Sequence, residues 1–453
     1  MSAAASLGDR FYDPVETLPR QELRRLQERR LQALLPLVYE RSALIREKWQ
    51  AAGVSPAEIE TIDDFIARAP FMDKDDIRRF RDEHDDPFGG ILCIDPAEIS
   101  FVGSTSGTSG DPTLFVTRWG GRDMLDRIAP GLDPDGPSPL YGTTGRDLWA
   151  MGVRPGDYVA MMWIRFRGPL FNIVHDMGAV PILIGFGKDD IAHMIEVSRR
   201  YRPKVLFTAS NPLLLGLVQA EKELGVDMRE IFSSYTGIYF AGEPIGPRAR
   251  KIFDRWGVGD RLYDQTSFGD LGHANQCRMH DGNHAYEDYG LVEVIDPETG
   301  RPLPEGGTGE LVVTTLINHV DPLIRFRTGD LVRLTYEPCG CGRTHARFWP
   351  KGRLGDGVVV HGRTFLPLDV WAAIENVEET SSGLFQIVRP EREMDELVLR
   401  VGYAGEPDLG SLSARVAASV QAAVGLRPRI ELVPNEELLK QGPPHKIPRM
   451  TKQ

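Results

Sequence analysis

Long apolar runs are missing from this chain, and so is any excess of basic charge. No stretch reaches the roughly 20 apolar residues that a membrane span needs. The opening residues, Met-Ser-Ala-Ala-Ala-Ser-Leu-Gly-Asp-Arg, lack the basic-then-apolar order of a secretory signal. Lys and Arg number 53 against 65 Asp and Glu, a formal net charge of −12. This balance argues against a nucleic-acid binder or an anionic-membrane binder, both of which need a basic footprint, while leaving room for a local basic pocket. Cysteine is scarce too: Cys93, Cys277, Cys339 and Cys341 are the only four in 453 residues, too few for a disulfide framework. Together these absences predict a cytoplasmic protein. What remains, 41% hydrophobic and 26% charged residues, suits a folded chain of more than one domain.

A further absence sharpens the strongest local feature. Residues 103–113 read Gly-Ser-Thr-Ser-Gly-Thr-Ser-Gly-Asp-Pro-Thr, between the apolar pieces Ile-Ser-Phe-Val and Leu-Phe-Val. No Gly-Lys-Ser/Thr follows, so this is not the P-loop of nucleotide hydrolases. The glycines still let backbone N–H groups approach an anion, and Ser104, Thr105, Ser106, Thr108 and Ser109 add hydroxyl donors. A flexible Ser/Gly linker has the same composition, but linkers are rarely flanked on both sides by strand-forming residues. Phosphate binding is the better reading.

The hydrophobic periodicity predicts an α/β protein. Residues 15–50 carry Leu23, Leu26, Leu31, Leu34, Leu35 and Val38 at helical spacing. From about residue 95, strand-like pieces (Val159-Ala-Met-Met-Trp-Ile, Val180-Pro-Ile-Leu-Ile, Lys204-Val-Leu-Phe-Thr, Gly237-Ile-Tyr-Phe-Ala) alternate with helical ones near 187–201 and 211–225, the pattern of α/β layers. Between 289 and 335 strands separated by turns predict a β-rich subdomain. Residues 357–453 then read as a small α+β unit, with a strand pair, a helix from Leu368 to about Glu378, strands near 385–389 and 395–402, a helix near 408–424 and a last strand near 428–433. The Pro-, Gly- and Asp-rich stretch 127–147 reads as a surface insertion.

Several chemically capable residues stand at turns. Asp330 closes Arg325-Phe-Arg-Thr-Gly-Asp, where a glycine turn would leave its carboxylate able to accept from vicinal hydroxyls; turn capping is the plainer role. Glu243, in Phe-Ala-Gly-Glu-Pro, lies just past a predicted strand end, where open α/β sheets bind ligands; it also suits a helix start. Lys446, in Gly-Pro-Pro-His-Lys-Ile-Pro-Arg, has the surroundings of an ordinary solvated lysine. Cys339-Gly-Cys341 on one turn and Cys277 with His284 (or His280) on another would supply four soft ligands for a closed zinc site. Unrelated reduced thiols are the alternative.

In order along the chain, these segments resemble the phenylacetate–coenzyme A ligase branch of the adenylate-forming acyl/aryl-CoA synthetases. The resemblance runs from Phe-Tyr-Asp-Pro-Val-Glu-Thr-Leu-Pro-Arg through the Ser/Thr/Gly loop, Gly-Val-Arg-Pro-Gly-Asp, Ala-Gly-Glu-Pro, Gly-Glu-Leu-Val-Val-Thr-Thr-Leu and Arg-Phe-Arg-Thr-Gly-Asp to Cys-Gly-Cys-Gly-Arg-Thr-His and Gly-Arg-Leu-Gly-Asp. It implies a large N-terminal adenylation domain over 1–351 (α/β layers plus the β-rich subdomain), a hinge at 352–357 and a small, mobile α+β C-terminal domain over 358–453. It also implies a two-step reaction. A carboxylate attacks the α-phosphate of ATP to give an acyl-adenylate and pyrophosphate, and coenzyme A then displaces AMP to form a thioester.

By the same resemblance, Ser104, Thr105, Ser106, Gly107, Thr108, Ser109 and Gly110 hold the β- and γ-phosphates. Lys446 offsets charge at the α-phosphate, Thr266 lies near it, Asp330 holds the ribose, and Glu243, Pro244 and Tyr263 flank the adenine. Arg353 and Asp356 match the hinge, and Cys277, His284, Cys339 and Cys341 match zinc ligands, leaving His280 a bystander. The implied partners are ATP/AMP, coenzyme A, Mg²⁺, structural Zn²⁺ and an aryl carboxylic acid of the arylacetate or benzoate type. The amphipathic N-terminal helices are compatible with a homodimer.

One departure stands out. Where the family's Tyr-Gly-x-Thr/Ser-Glu motif ends in a magnesium-binding glutamate, this chain reads Tyr263-Asp-Gln-Thr-Ser267, and serine cannot replace a carboxylate on a hard cation. Either ATP phosphates and water hold most of the magnesium, or a nearby carboxylate such as Asp264 or Asp270 compensates, or adenylation is impaired; compensation is the favoured reading, because the other nucleotide-binding matches remain. Trp163, Phe166 and Phe171 lie where the family builds its acid pocket, and Arg165 or Arg167 would suit an acid with a polar substituent. Two alternatives stay open: delivery of the acid to a carrier-protein thiol or other acceptor, and a nucleotide-binding homologue impaired in catalysis.

Overall fold

A computed structural model describes residues 10–104, 114–117, 142–162, 171–185, 188–267, 273–441 and 447–452. The chain forms two compact units, each assembled from separated stretches: 1–155 with 164–179 and 266–350, and 156–163 with 180–265 and 351–453.

In the first unit the helical start divides at Ser42 into Arg20–Arg41 and Ala43–Ala51, because the Ser42 hydroxyl accepts from Ile45 N–H at 3.2 Å and caps the second helix. Leu23, Leu26, Leu31, Leu34, Leu35 and Val38 are all buried, as their spacing requires. Six strands pair in the order Gly290–Ile295, Thr308–Thr315, Phe326–Thr335, Arg347–Arg353, Asn283–His284, His273–Gln276. The first three are the strands expected between 289 and 335. Phe101–Ser104 and Leu114–Thr117 form a separate antiparallel hairpin in which Ser104 faces Leu114. The Asp321 carboxylate accepts from Val116 N–H at 2.8 Å and pins that hairpin.

The expected surface insertion is corrected at its C-terminal end. Gly142–Ala150 is a helix, and Arg146 and Asp147 are buried at 3% and 2% exposure. Composition misleads here because these two charges are paired inside. Arg146 donates to both Asp288 oxygens at 2.9 Å and to Asp13 at 3.3 Å. Asp147 accepts from Arg343 at 3.0 Å, from Asn275 at 2.5 Å and from the Tyr286 hydroxyl. The Asp288 carboxyl is buried yet held below its ordinary range, chiefly by Arg146. Residues 127–141 lie outside the described residues.

In the second unit five strands run parallel in the order Val180–Ile184, Tyr158–Met162, Val205–Ala209, Gly237–Ala241, Leu262–Ser267. Helices Lys188–Tyr201, Asn211–Leu224 and Pro247–Arg255 connect them, and Leu206, Ile238, Phe240, Leu213, Leu217 and Phe253 share one core. The alternation read from the sequence is thus a parallel sheet. Residues 351–453 carry a core of their own, in which Val370, Ile374, Phe385, Leu399, Leu412 and Val416 meet. Its strands form a three-stranded and a four-stranded sheet. The strand pair is Val358–Val360 with Arg363–Phe365 and the helices are Pro367–Glu375 and Leu409–Val424. Short strands at Glu393–Met394 and Met450–Thr451 are additions to the expected set. Among the described residues no helix is long and apolar enough to cross a membrane.

Two measurements follow from these buried charges. Arg146→Met, which leaves Asp288 and Asp13 buried with less compensation, is expected to cost about 3–5 kcal/mol in denaturant unfolding. His319 is 1% exposed with neither ring nitrogen hydrogen-bonded, and burial, aided by Arg41 and Arg30, pushes it from 6.5 down to about 4. Between those values the unfolded chain binds a proton that the folded chain excludes, so stability falls as pH falls. Between pH 7 and pH 4 the native chain should lose about 2–3 kcal/mol more than His319→Phe.

Candidate active site and metal centre

The carboxyl ends of adjacent parallel strands bring several expected residues together. Gly237–Ala241 and Leu262–Ser267 are in register, with Tyr239 beside Tyr263 and Ala241 beside Gln265. Past Ala241 the backbone turns through Gly242 at φ +85°, a conformation that favours glycine, and delivers Glu243 and Pro244. Glu243 is buried, accepting from Asn211 Nδ2 at 2.8 Å and from Arg449 Nη2 at 2.5 Å. Tyr263, Asp264 and Thr266 are half-buried on the next strand. Strand alternation puts Asp264 on the face of Thr266.

Asp330 is set by a bulge rather than by a simple turn. Val312 pairs with Arg327 and Glu310 with Leu331, so Thr328, Gly329 and Asp330 stand opposite Leu311 alone. Gly329 takes φ +74°, Thr328 Oγ1 donates to Leu311 O at 2.9 Å, and Asp330 N–H donates back to Thr328 Oγ1 at 3.0 Å. A bulge of this kind re-aims a side chain out of the sheet pattern. Arg353 ends the strand Arg347–Arg353, and Asp356 lies in the following short helix Leu354–Asp356, after Gly352 at φ +144°. Thr105, Ser106, Gly107, Thr108, Ser109, Gly110 and Lys446 lie outside the described residues, as do Trp163, Arg165, Phe166, Arg167 and Asp270; the Ser104 backbone ends the strand Phe101–Ser104. Asn211 and Arg449 went unread in the sequence, although Arg449 closes the same Lys-Ile-Pro-Arg segment that holds Lys446.

The structure brings the four candidate metal-binding residues together. One ligand atom from each of Cys277, His284, Cys339 and Cys341 lies within 4.8 Å of the others, and all four residues are buried. Cys277 and Cys339 sulfurs are 3.6 Å apart, well beyond a disulfide bond, and Cys341 Sγ is 3.4 Å from His284 Nε2. His284 Nδ1 faces His345 O at 3.2 Å, so Nδ1–H donates there and Nε2 is left for the cluster. Peptide N–H groups of Met279 and Arg343 point at Cys277 and Cys341 sulfurs at 3.5 and 3.3 Å, suiting thiolate charge. The interaction between Cys277 and Cys341 pushes the Cys277 thiol up and the Cys341 thiol down. Three sulfurs and one imidazole nitrogen, buried and oriented, could hold a tetrahedral zinc ion. His280 stands outside this group.

The cysteine turn also receives the N-terminal segment. Arg343 Nε donates to Glu16 at 2.8 Å, Thr344 N–H to Glu16 O at 3.1 Å, and His345 Nε2 lies 2.9 Å from Val15 O. Arg20 clasps Glu287, which in turn accepts from Ala346 N–H at 2.6 Å.

Comparison with known proteins agrees with this arrangement. No family model matches the chain. A phenylacetate–coenzyme A ligase of Thermus thermophilus is 31% identical over 452 residues, covering 94% of this chain and 95% of that protein. One from Aromatoleum evansii is 29% identical over 406 residues, covering 88% and 86%. Among solved structures, 2-hydroxyisobutyryl-CoA ligase in its postadenylation state with 2-HIB-AMP superposes with a TM-score of 0.82 at 26% identity, covering 100% of this chain and 94% of that one. The fold is that of the adenylate-forming coenzyme A ligases. Within that class, the chain belongs to the phenylacetate–coenzyme A ligase family.

Proposed function

We propose that this chain is an AMP-forming acid–thiol ligase that activates an aromatic carboxylic acid, of the arylacetate or benzoate type, as its acyl-adenylate and transfers the acyl group to coenzyme A. The observation that carries the reading is the placement of Glu243 just past the strand Gly237–Ala241 and of Thr266 near the carboxyl end of the neighbouring parallel strand Leu262–Ser267, where open α/β sheets take nucleotides. In this reading Glu243, Pro244 and Tyr263 border the adenine, and Asp330, projected by its bulge, accepts from the ribose hydroxyls. Thr266 donates near the α-phosphate, and residues 104–110 hold the outgoing pyrophosphate. Lys446 offsets the charge that builds as the carboxylate oxygen bonds to the α-phosphorus and the pyrophosphate oxygen leaves. The thiolate of coenzyme A then attacks the acyl carbon and AMP departs. Magnesium, where bound, screens the phosphate charge, with Asp264 as the carboxylate on Thr266's face. The glycines at 352, 355 and 357 allow the hinge at Arg353 and Asp356 to turn between half-reactions.

A second acid class has its own support. The solved relative carries a 2-hydroxyisobutyryl adenylate, so short hydroxy acids belong in the same test as phenylacetates and benzoates. ATP–pyrophosphate exchange across that panel, with thioester detected by mass in the presence of coenzyme A, decides the substrate and the acceptor. Lys446→Ala is expected to lower adenylate formation by about 10²-fold or more while changing thioester formation from a supplied acyl-adenylate by less than about threefold. Equal loss of both steps would refute the role given to Lys446.

Zinc bound by Cys277, His284, Cys339 and Cys341 is part of the same reading, as a structural ion. Metal analysis of purified protein should find one zinc per chain, lost in Cys341→Ser. Because Arg343 and His345 hold Glu16 and Val15, zinc loss should also expose residues 10–17 to protease. A metal-free preparation with a protected N-terminus would count against the assignment.

A further inference from the structure

The proposed adenine segment is joined to the C-terminal part of the same compact unit by two carboxylates. The first is Glu243. Its partner Arg449 is held on its own side before it reaches across. Its main chain pairs with the strand Phe385–Val388, Ile387 N–H donating to Arg449 O at 2.8 Å. Its guanidinium lies 3.7 Å from the Trp371 ring centre and 4.7 Å from that of Phe385, and Nη1 donates to Gly383 O at 2.7 Å. That leaves Nη2 directed at Glu243, which Asn211 holds from the other side. The second is Glu375, at the end of the helix Pro367–Glu375. Its carboxylate accepts from Trp371 Nε1 and from Arg248 N–H, both at 2.8 Å, and so caps the helix Pro247–Arg255 from outside its own segment.

Gly246 makes the second contact possible. Its backbone, φ −74° and ψ 165°, is open to any residue, but a Cβ there would stand 2.2 Å from Glu375 Oε1. Apolar contact completes the join, with Ile447 packed among Leu384 and Leu438 and Leu215 of the helix Asn211–Leu224 laid against them.

We propose that Arg449 and Glu375 are positioning residues that seat the C-terminal part of the chain on the 242–248 turn for the adenylation half-reaction, and that these two contacts part when coenzyme A is to react. The inference rests on the function proposed above. Its chemistry is general: a charge-assisted pair between two pre-set groups fixes geometry, and misplacement by an ångström costs about 10²-fold in rate. Lys446 is three residues before Arg449, so a shift at Arg449 is passed to it through a short tether.

Three variants test this in the full chain. Arg449→Ala and Gly246→Ala should each lower pyrophosphate release by about 10–100-fold and leave thioester formation from a supplied acyl-adenylate within about threefold of native or faster; Arg449→Lys should lie between. Gly246→Ala removes no functional group, so a shared half-reaction split points to docking itself. Equal loss in both half-reactions, or unchanged adenylation in both alanine variants, would overturn the proposal. Hydrogen exchange separates its failure from that of the functional reading. The Arg248 amide, protected by Glu375 in the native chain, should exchange faster in Arg449→Ala and Gly246→Ala whatever acid is used. Unaltered exchange refutes the latch, whereas a native chain inert with every acid refutes the function and leaves the latch standing.

Discussion

Burying carboxylates inside the first unit is possible only because arginines from distant parts of the chain meet them there. Asp288 and Asp147 are almost wholly inaccessible, and an unpaired buried charge costs several kcal/mol. Arg146 answers Asp288 and reaches Asp13; Arg343 answers Asp147 and reaches Glu16. Each guanidinium therefore ties the N-terminal segment to the interior, and the helix Gly142–Ala150 supplies a member to both pairs. Strip out one arginine and two separated segments lose their reason to meet. The cysteine turn depends on the same network, since Arg343 follows Cys341 by two residues and donates its amide to that sulfur. The cysteine–histidine cluster and the buried ion pairs are one piece of structure.

The second unit solves a related problem with opposite emphasis. Its parallel sheet needs no charge to hold it; Leu206, Ile238 and Phe240 bury it by contact with helices. A closely packed ion pair stands just past one strand end. There Glu243 is a buried acid satisfied by one amide and one guanidinium, and Arg449 lies low in its pKa because burial strips its solvent, despite Glu243 nearby. Such a pair contributes little net stability for its desolvation. Its value is directional: only one placement of the C-terminal part satisfies both groups.

Much of this was legible in the residues themselves. The leucine spacing of 23–38 and the four apolar strands from 159 to 241 followed from periodicity, because burial on one face or two leaves that mark directly in sequence. That Cys277, Cys339 and Cys341 would cluster was legible from their place on turns, whereas the choice of His284 over His280 came only from the family resemblance. What could not be read were the pairings. Arg146 and Asp147 sit in a polar stretch whose composition is that of a loop, and only long-range partners at 13, 275, 286, 288 and 343 turn them inward. Asp330 was expected at a turn; a glycine in φ-positive geometry marks a turn and a bulge equally, and the opposing strand decides. Arg449 carried no periodic signal at all, being one arginine in a proline-flanked tail.

The substitution at 267 tests how much the magnesium reading demands of protein. Mg²⁺ keeps several waters and leans on substrate phosphates, using one or two carboxylates rather than a cage. Asp264 shares Thr266's face but lies two residues earlier on the strand, roughly 7 Å back. A carboxylate at that distance can act through a bound water and still offset charge, without fixing the ion's position as a direct ligand would. The geometry then shifts positional control away from the metal and onto groups that place the phosphates themselves. That makes the seating of the C-terminal part by Arg449 and Glu375 more consequential in this chain than where a glutamate pins the ion directly.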